Sequence, residues 1–259
     1  MTTNTNTRFS IHNKKALLIA SVLLVILLVT SLFVYNVLTN GVRSEMELRT
    51  AINIAPFNTP TTITLKKDIS LTGSTLEIPK NKNIILVSDK KEGFWKLIGS
   101  ANQATILVNG KLTLDGVIVT HKGGVKGSGV YVNFGGTLMM TDGIICNNIA
   151  DFITIPDTGD TYGAAGGGVF NCGSFNMYGG VITNNTAYVS GGGVYNNGYD
   201  FSMFGGEISC NTANYSGGGI YNYNGIIRVY DGNISGNNAI VGGVCIIAMV
   251  AILESLALL

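Results

Sequence analysis

Charge is scarce in this chain of 259 residues. Asp, Glu, Lys and Arg together make up 12% of it, about half the share of an ordinary soluble domain. Their balance is a net +1, which leaves no basic footprint for nucleic acid. Proline is down to four residues, and glycine does not recur at every third position, so a collagen helix is excluded. Two histidines and four cysteines without a Cys-x-x-Cys pair leave no metal-finger spacing. The repeated part of the chain also lacks any ten-residue stretch with a helical apolar period, and it lacks the L-x-x-L-x-L spacing of leucine-rich repeats. Helical and leucine-rich solenoids are therefore excluded.

What remains is apolar, glycine-rich and asparagine-rich. Hydrophobic residues reach 46%, which excludes disorder driven by composition. There are 35 glycines and 27 asparagines, the residues of repeated tight turns. Charge is also unevenly placed. Over 129–243, Arg228 is the single base against Asp142, Asp151, Asp157, Asp160, Asp200, Glu207 and Asp231. Such a half repels a phosphate backbone, so no nucleic-acid partner is expected.

The amino terminus reads as a basic cytoplasmic tail over 1–15 followed by a transmembrane signal anchor over 16–38. Residues 16–34 carry no charge, and Arg8, Lys14 and Lys15 precede them. That order places the tail inside and everything after it outside the cytoplasm. A cleaved signal peptide is the competing reading. The localisation expected is the cell membrane, single-pass, with the rest of the chain at the cell surface.

From residue 127 to 239 the chain repeats, within a parallel β-helix domain expected over 44–243. Four blocks align, opening at Gly127, Gly166, Gly191 and Gly217, with steps of 25–26 residues and one of 39. Like residues fall into columns: Ile145, Ile182, Ile208 and Ile234; Asn148, Asn185, Asn211 and Asn237; Ala150, Ala187, Ala213 and Ala239; Tyr131, Phe170, Tyr195 and Tyr221; Met140, Met177, Met203 and Val229. Between glycines, apolar and polar residues alternate, as in Phe175-Asn176-Met177. That is strand periodicity with one face inward. The fold expected is all-β: a parallel β-helix of short strands and glycine corners, with its columns stacked about 4.8 Å apart. Stacked asparagine amides should bond from coil to coil as structural ladders. The aromatic column is either ladder or ligand surface.

Upstream, residues 44–53 read as a short amphipathic helix stopped before Pro56, positioned to cap the solenoid. Strands are expected over 61–65, 74–78, 83–87 and 104–108. The 39-residue step comes from an insertion over 151–164. As a long loop it is a candidate recognition or Ca²⁺ site through Asp151, Asp157 and Asp160. The tail over 244–259 abandons the repeat for an apolar run. It reads as an apolar cap, a membrane-associated tail, or a truncated or frameshifted continuation.

The blocks GGGVFNCGSFNMYGGVITNNTA and GGGVYNNGYDFSMFGGEISCNTA resemble the right-handed parallel β-helix repeats of adhesin-like surface proteins, which are related to polymorphic outer-membrane proteins and share their architecture with the pectate-lyase-like superfamily. The resemblance covers about residues 44–243. It implies a right-handed coil and a surface role in binding glycans or cell-surface proteins. The alternative it carries is a polysaccharide lyase or hydrolase, whose enzymes cluster acids, often on Ca²⁺, beside a base. Here Asp142, Glu207 and Arg228 fall in separate columns and His121 has no sequence partner. No catalytic residue is assigned, and no enzyme is expected.

Overall fold

The computed structural model describes residues 5–89, 93–154, 161–243 and 245–247. The chain divides into two compact units, Met1–Gly41 and Val42–Leu259.

The first unit is one helix, α1 (Thr5–Asn40), which holds no proline or glycine to break it. The large side chains described from Leu17 to Val29 are all exposed, at 50–74%. The expected span over 16–38 is therefore helical. Among the described residues, however, no helix is long and apolar enough to cross a membrane.

The second unit opens with α2 (Glu45–Ile54), the expected capping helix. Ser44 accepts a hydrogen bond from the Glu47 N–H at 3.2 Å, and the Glu47 carboxylate accepts one from the Arg43 N–H at 2.6 Å. Together these occupy donors that a helix start leaves open. Leu48, Ala51 and Ile52 face inward and are buried. Arg49 donates to the carbonyls of Ser74 and Thr75, and Lys82 donates to those of Asn53 and Ala55. These bonds fasten α2 to the first coil.

The remainder is an all-β parallel solenoid of about six turns. Each full coil visits four faces. The first includes Val130–Val132 and Val169–Asn171, the second Thr137–Met140 and Ser174–Met177, the third Gly143–Cys146 and Val181–Thr183, and the fourth Ile149–Ala150 and Thr186–Ala187. In the two later coils, Val194–Met203 and Ile220–Val229 run through the first and second faces without a break. Upstream strands at Pro60–Leu65, Leu76–Ile78, Asn83–Ser88 and Ile106–Val108 fall where the alternation placed them.

Pairing is in register from coil to coil, so the sequence columns become physical stacks. Ile145, Ile182 and Ile208 stack inward with no exposed surface, and Ile234 continues the register half-buried. Met140, Met177 and Met203 do the same on the second face, and Ala150, Ala187 and Ala213 form a core cluster under the fourth. An inward stack not read from the sequence joins Leu112, Leu138, Phe175, Phe201 and Ile227, with the two phenyl rings 4.9 Å apart.

Glycines that open the repeat blocks lie where one coil comes close to the next. A Cβ on Gly129, Gly168 or Gly193 would sit 2.6 Å from the carbonyl oxygen of Gly168, Gly193 or Gly219 respectively. No side chain fits there.

The insertion is not the long irregular loop expected. Phe152–Thr154 pairs antiparallel with Thr161–Gly163, which makes a hairpin. Strand pairing satisfies backbone groups that a loop would leave to solvent.

Candidate functional site

Two kinds of ladder run along the solenoid axis, and they separate what is structural from what is displayed.

The expected asparagine ladder is present and buried. Asn148 donates through Nδ2 to Asn185 Oδ1 at 2.9 Å, Asn185 to Asn211 at 3.0 Å, and Asn211 to Asn237 at 3.0 Å. The same Oδ1 atoms accept from the backbone N–H of the preceding coil's asparagine at 2.9–3.1 Å. Each Nδ2 also donates to a core strand carbonyl, such as Ile145 O for Asn185. Every amide is thereby fixed in direction, oxygen toward the amino-terminal end. These asparagines form the structural spine.

That direction decides the role of His121. Its Nδ1 lies 2.8 Å from Asn148 Oδ1, the acceptor left at the head of the ladder. Turning the Asn148 amide would set two oxygens face to face at Asn185. The hydrogen therefore belongs on His121 Nδ1, an assignment made from the bonding network. Nε2 faces two further carbonyls, Ser100 O at 3.1 Å and Gln103 O at 3.2 Å. The histidine without a sequence partner is the buried terminus of the ladder.

A second buried amide ladder escaped the sequence reading. Asn171 donates to Asn196 at 2.7 Å, and Asn196 to Asn222 at 2.8 Å. The signal was available as the asparagine that follows Val169-Phe170, Val194-Tyr195 and Ile220-Tyr221.

The aromatic column is also a ladder, on the outer side of the first face. Tyr131 stacks on Phe170 at 5.0 Å, Phe170 on Tyr195 at 4.9 Å, and Tyr195 on Tyr221 at 5.3 Å, all within 19° of parallel. The rings are half-buried and turn their faces to one another, so sugar stacking on a ring face is restricted to the ends of the row. Burial and the neighbouring Cys172 push the Tyr131 hydroxyl up to about 12. Burial, with Tyr221, Tyr223 and Cys172 beside it, does the same to Tyr195.

Another outward aromatic row was missed. Tyr178, Phe204 and Tyr230 stack at 4.8 Å with 8–9° between planes, at 47%, 39% and 44% exposure. Each stands one residue after the methionine column or, in the last case, after Val229, a position the alignment showed.

Among the described residues the acidic candidates do not converge. Asp151 sits at the base of the hairpin, ion-paired to Lys126. Asp157 and Asp160 lie outside the described residues. Among the described residues no group of three His, Cys, Asp or Glu side chains is placed to hold a metal. Asp142 and Asp231 are corner residues whose carboxylates accept from the next residue's N–H at 2.7 Å. Arg228 pairs with Asp200 at 3.4 Å, while Glu207 stands on the third face between Val181 and Asn233.

No family model, curated protein or solved structure matches this chain. The adhesin-like and pectate-lyase-like resemblance thus rests on its repeat motifs, and the fold is shown only as a parallel β-solenoid.

Cys146, Cys172 and Cys210 are free thiols. Burial pushes the thiols of Cys146 and Cys172 above their ordinary range. Cys245 lies in Cys245–Ile247, and its side chain is outside the described residues. A cavity of about 560 Å³ opens on the third face beside Cys146.

Proposed function

We propose that this chain is a membrane-anchored, cell-surface β-solenoid of adhesin-like type that presents its outer faces to a glycan or cell-surface partner. The observation that carries the reading is the crowding of exposed aromatics onto the later coils. Tyr178, Tyr188, Phe204, Tyr215, Tyr223 and Tyr230 are all 39–65% exposed. Aromatic side chains left in water without internal need are typical of contact surfaces. On a rigid repeating rod, weak single contacts add through effective concentration. The exposed apolar row from Leu17 to Val29 on α1 supports anchoring, since such a row is costly in water.

The test uses the full-length chain in nanodiscs against a panel of neutral and acidic polysaccharides, with and without Ca²⁺. Co-sedimentation without new reducing ends or unsaturated products is the expected result, weakened at least tenfold when Tyr178, Phe204 and Tyr230 are all changed to alanine. Turnover would replace this reading with the lyase or hydrolase alternative. Anchoring is checked by flotation: the full chain should rise with phosphatidylcholine vesicles, and Leu24→Lys should reduce that fraction. Equal flotation of both chains would remove the anchor from the proposal.

A further inference from the structure

The third face carries a cavity whose lining includes His121, the head of the asparagine ladder. Its floor is Ile98, Ile118 and Thr120, from two adjacent coils, and its rim includes Lys96, Lys122 and Cys146. Two features set it apart from the rest of the surface. Both lysines are exposed, and among the described residues neither ammonium has an ion-pair or hydrogen-bond partner. No carboxylate lines the cavity. Asp68 accepts the backbone N–H of Lys96 at 2.9 Å.

Charge beside an apolar floor is felt more strongly than charge in open water, because less solvent is present to screen it. The wall also offers donors. Asn147 is held in the left-handed region at φ 56° and spends one amide hydrogen on Cys146 Sγ at 3.4 Å, so its second hydrogen remains for a ligand. The chain around it is basic as well: over 44–128 there are eleven Lys and Arg against seven Asp and Glu, a net of +4, whereas 129–243 carries seven acids against Arg228.

We propose that this cavity binds a tetrahedral oxyanion ester, a phosphate or sulfate monoester group, through Lys96 and Lys122 with Asn147 as a hydrogen-bond donor. Two cationic donors and one neutral donor suit the oxygens and the charge of such a group. The assignment is independent of the aromatic rows, which lie on other faces.

The full-length chain in detergent micelles is titrated at low salt with glucose 6-phosphate, glucose 6-sulfate, inorganic phosphate, inorganic sulfate, glucuronate and glucose. Binding of both esters, weakening as salt rises, is expected. The inorganic ions distinguish a site for the bare anion from one for the ester. A second readout is cysteine alkylation resolved by peptide mass spectrometry. Occupancy should slow labelling of Cys146 at least threefold and leave Cys172 and Cys210 unchanged. Lys96→Gln with Lys122→Gln should weaken binding at least tenfold, while the triple alanine variant of the Tyr178 row leaves it intact. Two results would overturn the proposal: ester binding unchanged in the double lysine variant, or Cys146 labelling insensitive to saturating ester. Equal affinity for glucuronate would do the same to the choice of a tetrahedral group.

Discussion

At the residue scale, the asparagine ladder is stabilising because each amide closes several bonds that nothing else can close. Asn185 takes the N–H of Asn148 and supplies the carbonyl of Ile145, both buried. Asn185→Ala leaves those two groups without partners, at about 1–3 kcal/mol each. A loss of about 3 kcal/mol in urea unfolding is expected. Asn237→Ala, in a coil where that position is only half-buried, should cost about 1 kcal/mol. Equal losses at both positions would mean that the ladder energy does not follow burial. The same reasoning separates glycines. Gly168→Ala drives a Cβ to 2.6 Å from Gly193 O, and about 2 kcal/mol of destabilisation is expected. Gly123→Ala meets nothing within 4 Å and should fall within about 0.5 kcal/mol of the parent in the same assay. The glycine triplets were legible in the sequence as corners. Their close backbone approach was legible too, but not which residue of the neighbouring coil each one meets, because that depends on register between segments 25–39 residues apart.

At the element scale, stacked rows of like residues couple one strand to the next. The Tyr131 and Tyr195 hydroxyls, held up to about 12 against an ordinary 10, make this coupling sensitive to alkali. Below pH 10 both phenols are neutral in the folded and unfolded chain, and their contribution is complete. Between pH 10 and 12 the unfolded chain ionises first, so stability falls through that window. Unfolding free energy measured from pH 9 to 12 should decline, and Tyr131→Phe with Tyr195→Phe should flatten the decline relative to the parent. An unaltered slope would remove the tyrosine row as its cause. The inward columns and the Tyr131 row are legible in the sequence because like residues recur there at one spacing. The Tyr178 row and the Asn171 row recur just as regularly, yet tyrosine beside glycine and asparagine beside cysteine look like turn chemistry until the strand bounds are known. His121 was opaque for a different reason. It occurs once, outside the repeat, and its partner is defined by an amide direction that three coils establish together.

At the scale of the whole molecule, a solenoid passes stability only between neighbouring coils, so its ends decide where opening begins. The amino-terminal end is covered by α2, with Leu48 and Ala51 fully buried and Arg49 and Lys82 fastened to backbone carbonyls. Toward the other end burial declines. Ile208 has no exposed surface, Ile234 is half-buried, and Val241 and Ile240 reach 50% and 80% exposure. The loss of contacts is graded, so opening should be graded as well. Amide hydrogen exchange should be fastest over 233–241, slower over 207–213, and slowest over 143–146 and 181–183. Leu48→Ala removes apolar surface from the cap, and about 2–5 kcal/mol of destabilisation is expected there. It should accelerate exchange in 60–88 well before it affects 181–183. Exchange at one common rate throughout, or acceleration by Leu48→Ala that reaches every coil equally, would show instead that the six turns open as one unit. In that case the ladders bind the rod more tightly than nearest-neighbour contacts alone provide.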